Sequence, residues 1–136
     1  TDIFIATAAV ADFRVENSHN QKLKKQDNSG STMTLNLVEN PDIVATVAQQ
    51  HPKPFTVGFA AETQSVVEYA RGKLQRKRLK MIVANDVSRS DIGFGSEDNA
   101  VIVIDAGGEY PLPLASKQQI ARQLTEMIAQ RLQSEP

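Results

Sequence analysis

Phe55-Thr-Val-Gly-Phe-Ala60 and Met81-Ile-Val-Ala84 are two short apolar runs, separated by a segment in which Val66, Val67, Ala70 and Leu74 recur at helical spacing. Nearly continuous apolar runs of this length are what strands buried on both faces require. A stripe of apolar residues every third or fourth position is what a helix laid against such strands requires. The helix is expected to open at Glu62-Thr63, where an acidic residue would favour the positive end of the helix dipole.

Working outward, the same alternation continues. Thr1-Asp-Ile-Phe-Ile-Ala-Thr-Ala8 reads as a buried strand with no polar lead-in, so the fold is expected to continue upstream of Thr1. Asn40 is a candidate N-cap and Pro41 suits the first position of a helix running to about Gln50, where His51-Pro52 would stop it. Val101-Ile-Val-Ile-Asp105 and a strand from Tyr110 to Leu114 flank the turn signal Gly107-Gly108. Ser116 is placed to cap a last helix, in which Ile120, Leu124, Ile128 and Leu132 recur every four residues. Strands alternating with helices define an α/β protein, here a three-layer Rossmann-like sandwich around a mostly parallel sheet.

One segment breaks the pattern. Val15 to Thr32 is almost wholly polar and carries Lys22-Leu-Lys-Lys25 and Asn28-Ser-Gly30, after which Met33-Thr-Leu-Asn-Leu-Val38 alternates apolar with polar residues. This excursion is expected to be a β-hairpin flap, and long connections inside compact domains are usually functional.

Composition excludes several classes. The chain has 136 residues, the length of one domain, with 15 basic against 16 acidic residues and a net charge of −1. That balance, with 5% aromatic residues and no Trp, argues against a general nucleic-acid binder. Cys is absent, which removes disulfides and thiolate chemistry, and the two histidines, His19 and His51, sit in no spaced metal-ligand cluster. No apolar run approaches the roughly 18 residues of a membrane span, and no signal-peptide pattern opens the chain.

In open α/β sheets, ligands bind beyond the carboxyl ends of the strands. The places to inspect are therefore Ala6 to Asp12, Phe59 to Thr63, and Asn85-Asp86. The small residues of Ala8-Ala-Val-Ala-Asp12 would let a ligand approach the backbone, with Asp12 accepting from a sugar hydroxyl or base amino group; they equally suit tight packing with Asp12 as a cap. Lys22, Lys24 and Lys25 can close over phosphates or simply solvate a loop. Lys73 and Lys77 share a helix face in the most basic stretch of the chain, fit for a triphosphate groove or for a charged outer surface. Phe59 can stack on a nucleobase or belong to the core, and Glu62 can act as a base or merely complement a dipole. Asn85-Asp86 and Gly93-Phe-Gly95 are turn chemistry first. Neither a glycine-rich dinucleotide fingerprint nor a Ser-His-Asp arrangement is present.

Taken in order, Ala8-Ala-Val-Ala-Asp-Phe13, Lys22-Leu-Lys-Lys25, Asn40-Pro-Asp-Ile43, Gly58-Phe-Ala-Ala-Glu-Thr63, Ala70-Arg-Gly-Lys73 with Lys77, Ile82-Val-Ala-Asn-Asp-Val87 and Phe94-Gly-Ser-Glu-Asp-Asn99 resemble phosphopantothenoylcysteine synthetase across nearly the whole chain. The resemblance is to the C-terminal part of the synthetase domain of the bacterial bifunctional coenzyme A flavoprotein. It implies a ligase that joins 4′-phosphopantothenate to L-cysteine with CTP through an acyl-cytidylate, releasing pyrophosphate and then CMP. It further implies a cytoplasmic homodimer, Mg²⁺ travelling with CTP, and an upstream decarboxylase domain carrying FMN.

Residue by residue, the resemblance assigns CTP to Ala6, Thr7, Ala8, Asp12, Lys22, Pro41, Asp42, Ile43, Val44, Phe59, Lys73 and Lys77. Lys22 becomes the catalytic residue, and Ala8 and Ala9 leave room for the acyl-cytidylate. The family's glycine-rich loop and the asparagine of its second half-reaction have no counterpart in this sequence, so activity of these residues alone is in question. Lys80 stands where relatives usually carry an acidic residue. The competing reading is a nucleotide-binding module without turnover. A Rossmann-like oxidoreductase is disfavoured by the missing glycine fingerprint.

Overall fold

A computed structural model describes residues 1–18, 20–22, 30, 32–88 and 95–134. His19, Lys24, Lys25, Asn28-Ser29 and Gly93-Phe94, all singled out above, lie outside the described residues. In chain order the elements are β1 (Ile3–Ile5), β2 (Phe13–Val15), β3 (Leu37–Glu39), α1 (Ile43–Ala48), β4 (Phe55–Glu62), α2 (Val66–Arg76), β5 (Met81–Asp86), β6 (Asp98–Asp105), β7 (Gly108–Ser116) and α3 (Lys117–Gln133). They fall into two compact units, Thr1–Thr7 with Ile43–Pro136, and Ala8–Asp42.

The first unit is built on a five-stranded sheet in the order β1-β4-β5-β6-β7. β1, β4 and β5 pair in parallel, while β6 runs antiparallel to both β5 and β7. Four of the five strands therefore share one direction, as the pattern of alternating elements implies. Alternation along β4 and β5 sends side chains to two different cores. Phe55, Val57, Met81 and Val83 face α3, packing with Val101, Val103, Ile120, Leu124 and Ile128. Ala60, Ile82, Ala84 and Ile104 face the other way, onto Ala48 of α1 and Ala70 and Leu74 of α2. The result is the expected three-layer sandwich.

Gly58 shows how tightly the second core closes. A Cβ at that position would lie 2.7 Å from Leu79 Cδ1, so any larger residue would force the buried Leu79 side chain to shift.

Several local expectations are corrected. Glu62 does not open α2. It is the last residue of β4, in register with Asp86 of β5, because pairing between the two central strands outlasts their apolar runs. α2 begins instead after Ser65, which sits in the left-handed region at φ 46°. Asn40 is not an N-cap and Pro41 is not the first helical residue: α1 starts at Ile43 and ends at Ala48, short of Gln50. The first strand is confined to Ile3–Ile5. It forms one margin of the sheet, with Ile3 and Ile5 exposed rather than buried.

The C-terminal half follows the sequence closely. The β6–β7 turn lies at Ala106-Gly107, with Gly108 already paired to Asp105. Ser116 caps α3 through a full capping box: its hydroxyl accepts from the Gln119 N–H, and the Gln119 side chain accepts from the Ser116 N–H. The buried Asp105 carboxylate organises the turn. One oxygen accepts from Gly107 N at 2.7 Å and Gly108 N at 3.1 Å, and the other accepts from Arg131 Nε at 2.8 Å. The hydrogen bond it donates to Asp105 holds the Arg131 guanidinium above its ordinary pKa range, and that guanidinium also lies 4.9 Å from the centre of the Tyr110 ring.

The second unit is organised by an antiparallel ribbon of β2 and β3, paired Phe13↔Glu39, Arg14↔Val38 and Val15↔Leu37. The β-hairpin base of the expected flap is thus present. Its strands are shorter than the Met33–Val38 alternation implies, and β2 was not itself expected as a strand. Phe13, Val15 and Leu37 share one exposed apolar face of this ribbon.

Candidate functional site

Parallel strands bring their carboxyl ends to one edge of the sheet, which here gathers the residues after β1, β4 and β5. β1 is prolonged by Ala6, whose N–H donates to Val57 O at 2.9 Å, and Thr7 turns away with its N–H on Ile5 O at 3.1 Å. Ala61-Glu62 closes β4 and Asn85-Asp86 closes β5. Asp86 supplies the turn chemistry expected of it, accepting from the backbone N–H and the hydroxyl of Ser88.

An ion pair joins β4 to α2. Lys73, from the last turn of α2, donates through Nζ to Glu62 Oε1 at 2.6 Å. The Glu62 side chain is largely enclosed, while that of Lys73 keeps a third of its surface in solvent. Helical geometry sets Lys77 one turn beyond Lys73, and the Lys77 N–H donates to Lys73 O at 3.0 Å at the C-terminus of α2. The shared face expected for the two lysines is therefore observed.

Phe59 lies on the α3 side of β4, in line with Phe55 and Val57. Those two are buried beneath α3, whereas Phe59 is 44% exposed. Its position is that of an accessible ring, not of a core residue. Ile43 is exposed at the start of α1, and Val44 packs against the Ala48–Ala60–Leu74 core.

Ala8, Ala9, Asp12, Lys22, Pro41 and Asp42 belong to the second unit, and all are exposed. Within it, the Ala11-Asp12 segment and the segment at Asn40 are brought together. Asn40 N donates to Asp12 O at 2.8 Å and Asn40 Nδ2 donates to Ala11 O at 2.8 Å. Among the described residues, no three His, Asp or Glu side chains converge as metal ligands. Sequence reasoning missed the tie made by Asn40 and the pairing of Glu62 with Lys73. The spacing of Glu62 and Lys73 across a strand-helix connection gave no local cue to either role.

A three-layer α/β domain with a cation held at the carboxyl edge of its parallel strands has the layout of the ligand-binding sandwiches. The chain belongs to the family of the DNA/pantothenate metabolism flavoprotein C-terminal domain, whose model matches residues 1–132. It is 52% identical over 132 residues to the Coenzyme A biosynthesis bifunctional protein CoaBC of Vibrio cholerae, a match taking in 96% of this chain and 33% of the relative. The same protein of Escherichia coli K12 is 46% identical over 131 residues, covering 96% of this chain and 32% of the relative. The chain thus spans about a third of the length of these relatives.

Among solved structures, the C-terminal domain of Coenzyme A biosynthesis bifunctional protein CoaBC superposes with a TM-score of 0.74 at 33% identity, over 98% of this chain and 56% of that one. The DNA/pantothenate metabolism flavoprotein from Streptococcus pneumoniae shares the fold, with a TM-score of 0.72 at 20% identity over 96% and 63% of the two chains. The resemblance drawn from seven ordered motifs is met at the level of the family.

Proposed function

We propose that this chain is the C-terminal part of a phosphopantothenate–cysteine ligase that uses CTP in coenzyme A biosynthesis. The observation that carries the reading is the match to bifunctional coenzyme A proteins along almost the entire chain. In the first half-reaction a carboxylate oxygen of 4′-phosphopantothenate attacks the α-phosphorus of CTP. A P–O bond forms, the bond to the bridging oxygen breaks, and pyrophosphate leaves. In the second, the cysteine amine attacks the acyl carbon, a C–N bond forms, and CMP departs with the electron pair of the broken C–O bond while the amine releases a proton.

The residues supply position and charge, not a nucleophile. Lys22 neutralises the departing pyrophosphate. Lys73 and Lys77 meet the nucleotide's anionic charge, Asp12 and Phe59 engage the nucleoside, and the backbones at Ala6–Ala8 and Pro41–Val44 follow it. Ala8 and Ala9 make room for the acyl-cytidylate. Mg²⁺ would come with CTP and would supply neutralising charge to the triphosphate, asking few ligands of the protein. FMN belongs to a decarboxylase domain fused upstream, as the bifunctional relatives suggest. The exposed apolar face of Phe13, Val15 and Leu37 supports a homodimer, since an isolated two-stranded ribbon is marginal in water. No helix among the described residues is long and apolar enough to cross a membrane, in keeping with a cytoplasmic enzyme.

The test is pyrophosphate release by the intact protein given CTP and 4′-phosphopantothenate, with and without cysteine. The ligase releases pyrophosphate in both cases and CMP fully only when cysteine is added. Saturable CTP binding with no phosphopantothenate-dependent pyrophosphate would establish the module without turnover instead.

A further inference from the structure

Asn40 makes more cross-chain contacts than any cap would need. Its backbone N–H donates to Asp12 O, its Nδ2 donates to Ala11 O, and its Oδ1 accepts from Arg14 Nη1 at 3.1 Å. The same Arg14 nitrogen donates to Glu39 O at 2.9 Å. The amide is thereby fixed at both ends: turning it over would set an NH₂ against a guanidinium and an oxygen against a carbonyl. The β2–β3 ladder reaches Phe13↔Glu39, and Asn40 N to Asp12 O extends it by one bond. Pro41 follows and has no N–H, so the Asn40 side chain, not the next backbone amide, supplies the donor for Ala11 O.

We propose that Asn40 is a positioning residue for the nucleotide. It clamps the Ala8–Asp12 segment to the Pro41-Asp42 turn, so that the two backbones reach CTP already set in one geometry. The inference rests on the CTP reading given above, which places a nucleotide along both segments. Its physical basis is preorganisation: two segments joined by two hydrogen bonds from Asn40, whose amide Arg14 holds in turn, lose less freedom when a ligand orders them. Asn40 itself touches only protein, and its effect passes through Asp12 and the turn.

The decisive variant is Asn40→Asp in the intact protein, which keeps the shape and the acceptor for Arg14 but removes the donor to Ala11 O. The apparent KM for CTP is expected to rise about tenfold, the scale of one hydrogen bond lost from a binding geometry, with kcat at saturating CTP within about twofold of wild type. Asn40→Ala, which also frees Arg14, should raise KM further. Without nucleotide, amide hydrogen exchange should quicken in peptides covering residues 8–12 and 40–42 and stay unchanged in β4 and β5. Unchanged exchange in both variants would show that the clamp does not hold these segments. Quickened exchange with wild-type KM would show a structural tie with no bearing on the nucleotide. In both of those cases the ligase reading stands while this inference falls. Absence of CTP binding by the wild-type protein would remove the reading and the inference together.

Discussion

Lys73 Nζ lies 2.6 Å from Glu62 Oε1, joining the last turn of α2 to the last residue of β4. An ammonium has three donors, so the pair leaves Lys73 capacity for an anion while fixing where its charge sits. The partners are unequal: the Glu62 side chain is 14% exposed and that of Lys73 is 35% exposed. Lys73→Met strands a carboxylate that is nearly enclosed and should destabilise the fold by about 1–3 kcal/mol. Glu62→Gln leaves a lysine that can turn its head to water and should cost less than about 1 kcal/mol. Thermal unfolding of the two variants checks the order; equal losses would contradict this account of the pair.

Phe59 and Phe55 share a face of β4 but have different surroundings, and their alanine variants should separate binding from stability. Phe55 is 4% exposed in the α3 core, so Phe55→Ala should cost about 3–5 kcal/mol. Phe59 is mostly outside that core. Phe59→Ala should leave the unfolding midpoint nearly unchanged yet weaken CTP binding about tenfold, the lower end of what a lost base–aromatic stack is worth. Equilibrium CTP titration and thermal unfolding of both variants check the contrast. A Phe59→Ala variant as unstable as Phe55→Ala would return Phe59 to the core.

What the sequence revealed and concealed divides along one physical line. Apolar periodicity depends on neighbours along the chain, so β4, α2, β5 and α3 and the Ser116 cap were legible. β2, the end of β4 at Glu62 and the use of Asn40 depend on partners in other segments. Phe13-Arg-Val15 has no strand pattern of its own and becomes a strand only by pairing with Leu37–Glu39. Asn40 followed by Pro41 has the local chemistry of an N-cap, but its amide is taken by Ala11 O, 29 residues away in sequence. The site residues proposed here come from ordered motifs, whose chemistry is individually ambiguous. The unit each belongs to could not be read from spacing.

Lys22 is exposed, so replacing it should leave the fold intact. If it neutralises the leaving pyrophosphate, Lys22→Gln should slow acyl-cytidylate formation by about 10²–10³, the usual loss when one charge-stabilising donor is removed. Single-turnover formation of the intermediate in the intact protein, with cysteine withheld, measures that step directly. A wild-type rate would remove Lys22 from the chemistry.

Asp105 and Arg131 offer a test remote from any nucleotide. Asp105 is 5% exposed and accepts from Gly107 N, Gly108 N and Arg131 Nε, so one carboxylate secures the β6–β7 turn and pins the end of α3. Asp105→Ala should cost about 2–4 kcal/mol, because it orphans two turn amides as well as a guanidinium. Arg131→Gln should cost less, since the turn amides keep their acceptor. The hydrogen bond that Arg131 donates to Asp105 raises the Arg131 pKa in the folded state. A raised cationic pKa gives stability that is complete below the unfolded value and lost only as pH climbs through the folded one, here far above neutrality. Arg131 should therefore add no pH dependence across the neutral range, and the stability difference between wild type and Arg131→Gln should stay constant there. A difference that grew or shrank on titration through neutrality would show that another group, not this pair, governs the turn.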